Sequence, residues 1–396
     1  MSKRIINISL ISFATVGAFL FFPFKKETPQ YFNKFFQKKS ELDTSTSLKL
    51  IFAGDIMSQQ KQIDAAHLGN GLYDYTPCFQ YIKPILETAD IALANLECTL
   101  PGKPPYTGSP NFKSPDQLAK ALKINGFDVL VTANNHIMDS GKEGILHTQA
   151  VLKKEGFLTT GTFKDSLEKA LKYPLIVYKK GFKLALLNYT LHTNSHAVPK
   201  PVEVNRLDPL SIKSDIEKAK KLKPDFIIMF MHWGIEHRLE EDATVRNLSK
   251  QMFEWGANLV VGAHPHVIQP IKNEQFTIDG KSQYCLTAYS LGNFISAQPF
   301  PNTEGGIMLE VDLKKEKNKT EIVDYHYIPV IRYTPIVNGK EQYFALPISP
   351  FEGNETLLNM PKSEKLKMDN FAKKFRAHLE KNGATERKFK YADLYN

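Results

Sequence analysis

The chain has 396 residues, of which 42% are hydrophobic and 23% are charged. These fractions are ordinary for a globular protein and exclude a disordered, collagen-like or coiled-coil chain. The net charge of +9 belongs to the two ends: residues 1–46 carry seven basic and three acidic side chains (+4), residues 361–396 carry ten and five (+5), and residues 47–360 sum to zero. A neutral body argues against nucleic-acid binding, and the basic ends favour contact with an anionic surface such as lipid head groups.

The N-terminus contains a candidate membrane segment. Residues 5–24 include no charged side chain, and at about 1.5 Å per residue they span about 30 Å, one hydrocarbon core. A cleaved signal peptide and a retained anchor both fit this pattern. Cleavage after Ala18 would leave a strongly apolar new N-terminus, so we expect residues 1–26 to remain as a single-pass anchor and residues 27–46 to form a linker. Basic residues on both sides of the segment leave its orientation open.

From Leu48 onward, short apolar runs alternate with segments of helical spacing, which predicts an α/β fold. We expect strands at 48–53, 91–96, 128–133, 175–178, 184–189, 226–231, 259–261, 288–294 and 306–313. We expect helices at 77–87, 116–123, 144–154, 215–222 and 245–255. The main domain is predicted to cover residues 47–333, followed by an appendage over 334–396 that contains a basic helix near 364–381.

Five of these predicted strands end in potential metal ligands or general acids, and the residues are Asp55, Glu97, Asn135 with His136, His232, and His264 with His266. Ligands of open α/β sheets bind beyond the carboxyl ends of the strands. Carboxylate, imidazole and amide groups suit a divalent ion such as Mn, Fe or Zn. A single Asp at a strand end caps a helix about as often as it binds metal, and a single His is usually structural. The common position of all seven residues therefore carries the prediction.

The same residues stand in six short motifs that follow one another along the chain: Phe52-Ala53-Gly54-Asp55-Ile56-Met57, Ala94-Asn95-Leu96-Glu97, Ala133-Asn134-Asn135-His136 with Asp139, His232-Trp233-Gly234, Gly262-Ala263-His264-Pro265-His266 and Tyr289-Ser290-Leu291-Gly292-Asn293-Phe294. This series resembles the CapA family of bacterial poly-γ-glutamate capsule-synthesis proteins, within the calcineurin-like metallophosphoesterase superfamily. The resemblance implies a four-layer αββα sandwich that holds one or two divalent metal ions.

The resemblance also implies a role for each residue. Asp55 and His266 would bind the first metal, Glu97 would bridge the two metals, and Asn135, His232 and His264 would bind the second. His136 would stand beside the leaving-group oxygen as a general acid or a charge stabiliser. Asp139 would orient His136 by accepting a hydrogen bond from its other ring nitrogen.

Two departures from the superfamily pattern weaken the first metal position. Met57 replaces the histidine of the Asp-x-His motif, and a thioether is a poor ligand for a hard cation. Glu97 replaces an aspartate and lengthens the bridge by one methylene. Glu236 or His237 would compensate if they reached the site, although a solvated loop is the more common role for such residues.

The N-terminal segment predicts a membrane anchor, and the resemblance implies that the protein is extracytoplasmic and acts in capsule or poly-γ-glutamate production or export. It would handle an anionic polymer or a phosphoester and work beside capsule synthase subunits. Two alternatives remain at this point: a metal-dependent phosphoesterase acting on an envelope or nucleotide substrate, and a catalytically weakened, polymer-binding scaffold. Whether the chain is an enzyme stays open, and an enzyme of this kind would be a metal-dependent hydrolase.

Overall fold

The computed structural model describes residues 45–278, 280–317 and 319–395. The predicted anchor over residues 1–26 lies outside these ranges, and so does the linker up to Thr44. Within them, no helix has both the length and the apolar character needed to cross a bilayer. Anchoring therefore stays a prediction from the sequence.

The strands, in chain order, are β1 Thr46–Ile56, β2 His67–Gly69, β3 Leu72–Tyr73, β4 Ile91–Leu96, β5 Val129–Val131, β6 Leu158–Thr160, β7 Thr162–Phe163, β8 Leu175–Lys179, β9 Phe182–Thr190, β10 Glu203–Val204, β11 Phe226–His232, β12 Leu259–Ala263, β13 Ile271–Ile278, β14 Lys281–Ala288, β15 Asn293–Ile295, β16 Gly305–Glu316, β17 Lys319–Tyr333, β18 Ile336–Val337, β19 Lys340–Glu341 and β20 Phe344–Pro347.

The α-helices are α1 Gln60–Ala66, α2 Lys83–Leu86, α3 Gln117–Ile124, α4 Gly141–Lys154, α5 Ser166–Lys172, α6 Pro209–Lys221, α7 Ala243–Trp255, α8 Lys362–Glu380 and α9 Tyr391–Tyr395, and single 3₁₀ turns lie at Thr76–Phe79 and Glu355–Leu358.

Two mixed sheets organise these elements. The first has the strand order β20-β17-β16-β1-β4-β5-β6, with the short β15 paired to the end of β1. Its β1, β4, β5 and β6 run parallel, and β16, β17 and β20 continue it in antiparallel fashion. The second sheet has the order β13-β14-β12-β11-β9-β8, with four parallel central strands and an antiparallel strand at each edge.

The two sheets share one core. Leu50 and Phe52 of β1 belong to the same buried cluster as Ile228 and Phe230 of β11, and the rings of Phe52 and Phe230 lie 6.4 Å apart. The alternate residues of each strand face outward, where Ile51 packs beneath α3 and α4. Both faces of the central strands are therefore buried, which explains their continuous apolar runs.

Helices cover the outer face of each sheet, α3 and α4 on the first and α6 and α7 on the second. Along the stack the order is helix, sheet, sheet, helix. The α/β class predicted from the sequence is confirmed.

Two expected elements differ in the structure. The helix expected over 77–87 is instead a 3₁₀ turn followed by the one-turn helix α2, because Pro84 has no N–H to donate and fits only in a first helical turn. The strand expected over 288–294 is divided: β14 ends at Ala288, and β15 begins at Asn293 in the other sheet. The intervening turn connects the two sheets.

The C-terminal residues, predicted to form an appendage, pack into the same unit. β20 is an edge strand of the first sheet. Met368, Phe371, Phe375 and Leu379 recur along one face of α8 and belong to the cluster between the sheets. The basic residues of this helix therefore occupy the face opposite a core-packing stripe.

Candidate metal centre

The carboxyl ends of five strands bring the predicted ligands together. Asp55 lies near the end of β1, Glu97 directly follows β4, and Asn135 and His136 follow β5; His232 ends β11, and His264 and His266 follow β12. All seven side chains are buried. Because β1, β4 and β5 belong to one sheet and β11 and β12 to the other, the cluster lies where the ends of both sheets meet.

Three groups of side chains in the described part of the chain place potential ligand atoms within 4.8 Å of one another: Glu97 with His232 and His264, Asp55 with Glu97 and His266, and Glu236 with His264 and His266. The first two groups correspond to the two metal positions that the resemblance implies, and both include Glu97. The third contains a residue to which the sequence assigned only a compensating role.

Asn95 holds the acidic residues in place. Its Nδ2 donates to Asp55 Oδ1 at 2.7 Å and lies 3.3 Å from Glu97 Oε2 and 3.2 Å from His232 Nδ1. Parallel pairing of β1 and β4 puts Asn95 opposite Asp55, which fixes this contact. The sequence alone assigns Asn95 no role, and its place two residues before Glu97 is the only signal for one.

The group formed by Glu97, His232 and His264 is linked through His232. Its Nε2 lies 2.8 Å from Asn135 Oδ1 and 3.5 Å from Glu97 Oε1. Asn135 donates its Nδ2 to Asn194 Oδ1 at 3.1 Å, which turns its own oxygen toward His232. An amide oxygen, a carboxylate oxygen and an imidazole nitrogen thus converge on one point.

The two carboxylates are strongly coupled. Burial, together with the charge of Asp55 and a hydrogen bond to it, raises the pKa of Glu97 well above its usual value. Burial would also raise the pKa of Asp55, but the hydrogen bond and charge of His266 and the hydrogen bond from Asn95 hold it below its usual value. A divalent cation between the two carboxylates would remove this conflict.

Two of these histidines, His232 and His264, are held in the neutral form that binds metal. Burial and the neighbouring histidines lower the pKa of His232 well below its usual value and that of His264 to about 3. Neutral imidazole is the ligand form. His266 is oriented by Asn293 Oδ1 at 3.2 Å and Asp55 Oδ2 at 3.3 Å from its Nδ1.

The backbone at these ligands is strained. Pro265 predicts an extended conformation for the residue before it. Instead His264 has a φ of 101° and His266 a φ of 60°, conformations that usually cost a non-glycine residue about 1–3 kcal/mol. The His264 N–H donates to Asp55 Oδ2 at 3.2 Å, which helps to maintain the strained segment. Strain kept at a polar cluster is a mark of a functional site.

Two buried atoms in the cluster have no hydrogen-bond partner among the described residues, namely Glu97 Oε1 and His264 Nδ1. Leaving such an atom unsatisfied costs about 1–3 kcal/mol, so native proteins rarely do so without a ligand. Oxygen and nitrogen donors, two opposed carboxylates and unsatisfied ligand atoms all fit a divalent ion. The side chains present therefore suit the predicted cofactor.

His136 is oriented by Asp139. His136 Nδ1 lies 2.7 Å from Asp139 Oδ2, and the same oxygen accepts the Phe112 N–H at 2.6 Å. The ring of Phe112 packs edge-on against His136 at 4.5 Å. A proton on Nδ1 would be shared with Asp139, which leaves Nε2 for exchange with a bound molecule.

Met57 contributes a thioether where the superfamily pattern has an imidazole. Its side chain is buried with Ile56 in the apolar layer beneath the helices of the first sheet. Cys98, next to Glu97, is also buried, and burial raises the pKa of its thiol to about 12, which makes it a poor nucleophile. The predicted first metal position therefore keeps Asp55, Glu97 and His266 as candidate ligands.

Close backbone contacts account for two motif glycines. A Cβ on Gly54 would lie 2.0 Å from the carbonyl oxygen of Gly292, and one on Gly262 would lie 1.9 Å from that of Tyr289. The same Tyr289 oxygen accepts the Trp233 indole N–H at 3.1 Å. These contacts bind β1 and β12 to the turn between the sheets and so set the spacing of the ligands.

Residues 49–298 match the family model described as bacterial capsule synthesis protein PGA_cap. The chain is 31% identical over 289 residues to the PGA biosynthesis protein CapA of Bacillus subtilis (strain 168), covering 68% of each chain. It is 28% identical over 292 residues to the capsule biosynthesis protein CapA of Bacillus anthracis, covering 70% of this chain and 66% of that one. Among solved structures, the calcineurin-like phosphoesterase YfkN from Bacillus subtilis aligns with a TM-score of 0.45 and 14% identity, over 83% of this chain and 99% of that one.

Proposed function

Because the chain belongs to the PGA_cap family of bacterial capsule synthesis proteins, we propose that it acts in the production of a capsule polymer of the poly-γ-glutamate type. We further propose that its buried cluster holds one or two divalent ions of the Mn, Fe or Zn class. The substrate would be an anionic polymer or a phosphoester, and capsule synthase subunits would be its protein partners.

One observation carries the metal proposal. Seven ligand-type side chains from both sheets converge in a buried cluster in which Glu97 Oε1 and His264 Nδ1 have no hydrogen-bond partner among the described residues. Most buried polar atoms in native proteins have a hydrogen-bond partner, so two such atoms within one cluster support a bound ion there. Asp55 and Glu97 are also too close to carry two charges without a cation.

The arrangement suits phosphoester hydrolysis. Divalent ions, when bound, polarise a phosphoryl oxygen and acidify a water molecule. Asn95 keeps the carboxylates facing inward, and Asn135 keeps its oxygen toward His232. His136, held through Nδ1 by Asp139, would pass a proton from Nε2 to the leaving-group oxygen.

Turnover of simple phosphoesters by the full chain, supplied in turn with Mn²⁺, Fe²⁺ and Zn²⁺, tests the hydrolase proposal. We expect metal-dependent hydrolysis that His264→Ala abolishes and His136→Asn strongly reduces. Glu254→Gln, an exposed helix position, is the matched control and should behave as the native chain. No hydrolysis with any of the three metals would refute phosphoesterase activity.

A second candidate function is a polymer-binding scaffold, and the position of Met57 favours it. With that side chain in the apolar layer, the first metal position has one ligand fewer than the superfamily pattern. A scaffold would keep normal capsule output in a stably folded His136→Asn strain. Loss of capsule in that strain, with normal protein level, would contradict the scaffold.

We also propose that residues 1–26 anchor the chain in the cell membrane with the folded unit outside the cytoplasm. The support is the uncharged segment over 5–24 and the family relationship. Protease added to cells without their wall should cleave the folded unit while a cytoplasmic marker stays intact. Cleavage only after the membrane is permeabilised would overturn this placement.

A further inference from the structure

We propose that Glu236 is a metal ligand that completes the first metal position, where Met57 stands in place of a histidine. The inference rests on the proposed metal centre and adds to it a residue outside the predicted set of strand-end ligands. It gives the loop after β11 a chemical role.

The distances support this assignment. A Glu236 carboxylate oxygen, a His264 nitrogen and a His266 nitrogen lie within 4.8 Å of one another. His266 also groups with Asp55 and Glu97 at the first metal position. Ligand atoms about 2.0–2.2 Å from one ion are separated by no more than about 4.4 Å, so a small side-chain adjustment brings the Glu236 oxygen within reach of an ion that His266 binds.

The loop that carries Glu236 is tied to the ligand segment. The His237 N–H donates to the Pro265 carbonyl at 2.8 Å, and Pro265 lies between His264 and His266. Gly234 has a φ of 89°, a conformation that glycine adopts freely, and a Cβ there would lie 3.4 Å from Pro265. These backbone contacts therefore hold Glu236 beside the cluster. A surface loop without such contacts would not fix its position.

Charge and ligand chemistry agree with this geometry. Asp55 and Glu97 together supply two negative charges, while two divalent ions bring four positive charges. A third carboxylate reduces that excess, and its oxygen suits Mn, Fe or Zn better than the thioether of Met57. Glu236 is exposed, unlike its two partners in this group, so it can also enter and leave the shell with little rearrangement of the core.

Calorimetric titration of the metal-free full chain in detergent with Mn²⁺ tests the inference. We expect Glu236→Gln to weaken the lower-affinity site at least about tenfold, or to remove it, because it loses a charged ligand at nearly unchanged size. Glu240→Gln, an exposed glutamate of the same loop outside all three ligand groups, should titrate as the native chain does. Visible absorption of Co²⁺-loaded protein provides a second readout, since the loss of one ligand changes the spectrum.

The outcomes separate this inference from the proposed function. If Glu236→Gln binds Mn²⁺ as tightly as the native chain while His264→Ala does not, Glu236 belongs to a solvated loop and the inference is wrong, but the metal centre stands. If the native chain binds neither Mn²⁺ nor Co²⁺, the metal centre itself fails. Because Glu236 is exposed, the melting temperature of metal-free Glu236→Gln should match that of the native chain, which separates lost binding from lost folding.

Discussion

Replacing Glu97 by Gln should stabilise the metal-free protein. It should also reduce the rise in melting temperature that added metal produces. Gln keeps the volume of the side chain and an oxygen to accept the Asn95 N–H, while it removes the negative charge. The new amide group would take the place of Oε1, an atom without a hydrogen-bond partner in the described structure. A substitution in the centre of the site is therefore expected to make the empty protein more stable.

The magnitude follows from the distance between the two carboxylates. A carboxylate oxygen of Asp55 lies within 4.8 Å of one of Glu97, and at that upper limit two unit charges repel by about 3.5 kcal/mol for an effective dielectric constant of about 20. Glu97 relieves part of this repulsion by taking up a proton, so we expect a net gain of about 1–3 kcal/mol at neutral pH. For a unit of about 350 residues, 1 kcal/mol corresponds to about 1.4 °C in melting temperature. The gain should therefore be about 1.5–4 °C.

Thermal unfolding of both proteins, with chelator and with excess Mn²⁺, is the assay. The native chain should gain about 2.7 kcal/mol, or about 4 °C, at a metal concentration 100 times the Kd. The Gln variant should gain less, so its advantage in stability should shrink or reverse when metal is added. A Gln variant that is less stable than the native chain in chelator, or that responds equally to metal, would refute the reasoning.

The stability advantage of the Gln variant should change with pH in one defined direction. A carboxyl whose pKa is raised by folding destabilises the protein above its unfolded pKa, and that penalty disappears as the pH falls toward the usual value of 4.5. In chelator, the advantage of the Gln variant should therefore shrink as the pH is lowered from 7 to 4.5. An advantage that is independent of pH would show that charge repulsion is not its cause.

Three further predictions concern packing and catalysis. Gly262→Ala should lower the free energy of unfolding by roughly 2–5 kcal/mol, because the new Cβ overlaps the Tyr289 carbonyl and displaces a buried hydrogen bond. Denaturant unfolding measures this loss, and a value below about 1 kcal/mol would contradict the close contact. Phe371→Ala on α8 should lower the free energy of unfolding by about 3–5 kcal/mol, and Leu366→Ala on the exposed face should leave it almost unchanged. Equal effects of the two substitutions would argue against a core role for this helix. If the chain hydrolyses phosphoesters, His136→Asn should lower the rate about 10²- to 10⁴-fold without changing the metal content; loss of metal in this variant would make His136 a ligand instead.

The positions of the candidate ligands are predictable from the sequence because each follows an apolar run that is buried on both faces. Such runs predict strands, and the carboxyl ends of parallel strands meet at one edge of the sheet. The apolar pattern therefore places Asp55, Glu97 and His232 at that edge. The structure brings the three side chains together, and a metal measurement is what assigns them an ion.

The supporting residues are harder to predict. Asn95, Asn194 and Asn293 orient ligands through amide contacts that depend on strand register and on loop conformation. A single sequence has no periodic signal for either. Similarly, the path of the chain from β14 through β15 depends on a turn between sheets, which local apolar patterning does not encode.

The C-terminal segment shows a different limit. Several prolines and a high density of basic residues indicate an appendage, but the apolar positions of α8 recur at helical spacing from Met368 to Leu379. That stripe is typical of a helix that packs on another element. It does not specify the partner, which in the structure is the core between the two sheets.

The most direct test of the metal centre is the metal content of the full chain, measured by elemental analysis beside the His264→Ala and Glu240→Gln variants. We predict between one and two ions of the Mn, Fe or Zn class per native chain and per Glu240→Gln chain. His264→Ala should lose at least one of these ions. A native chain that retains none of the three metals after loading would contradict the metal centre and leave the buried cluster as a polar core.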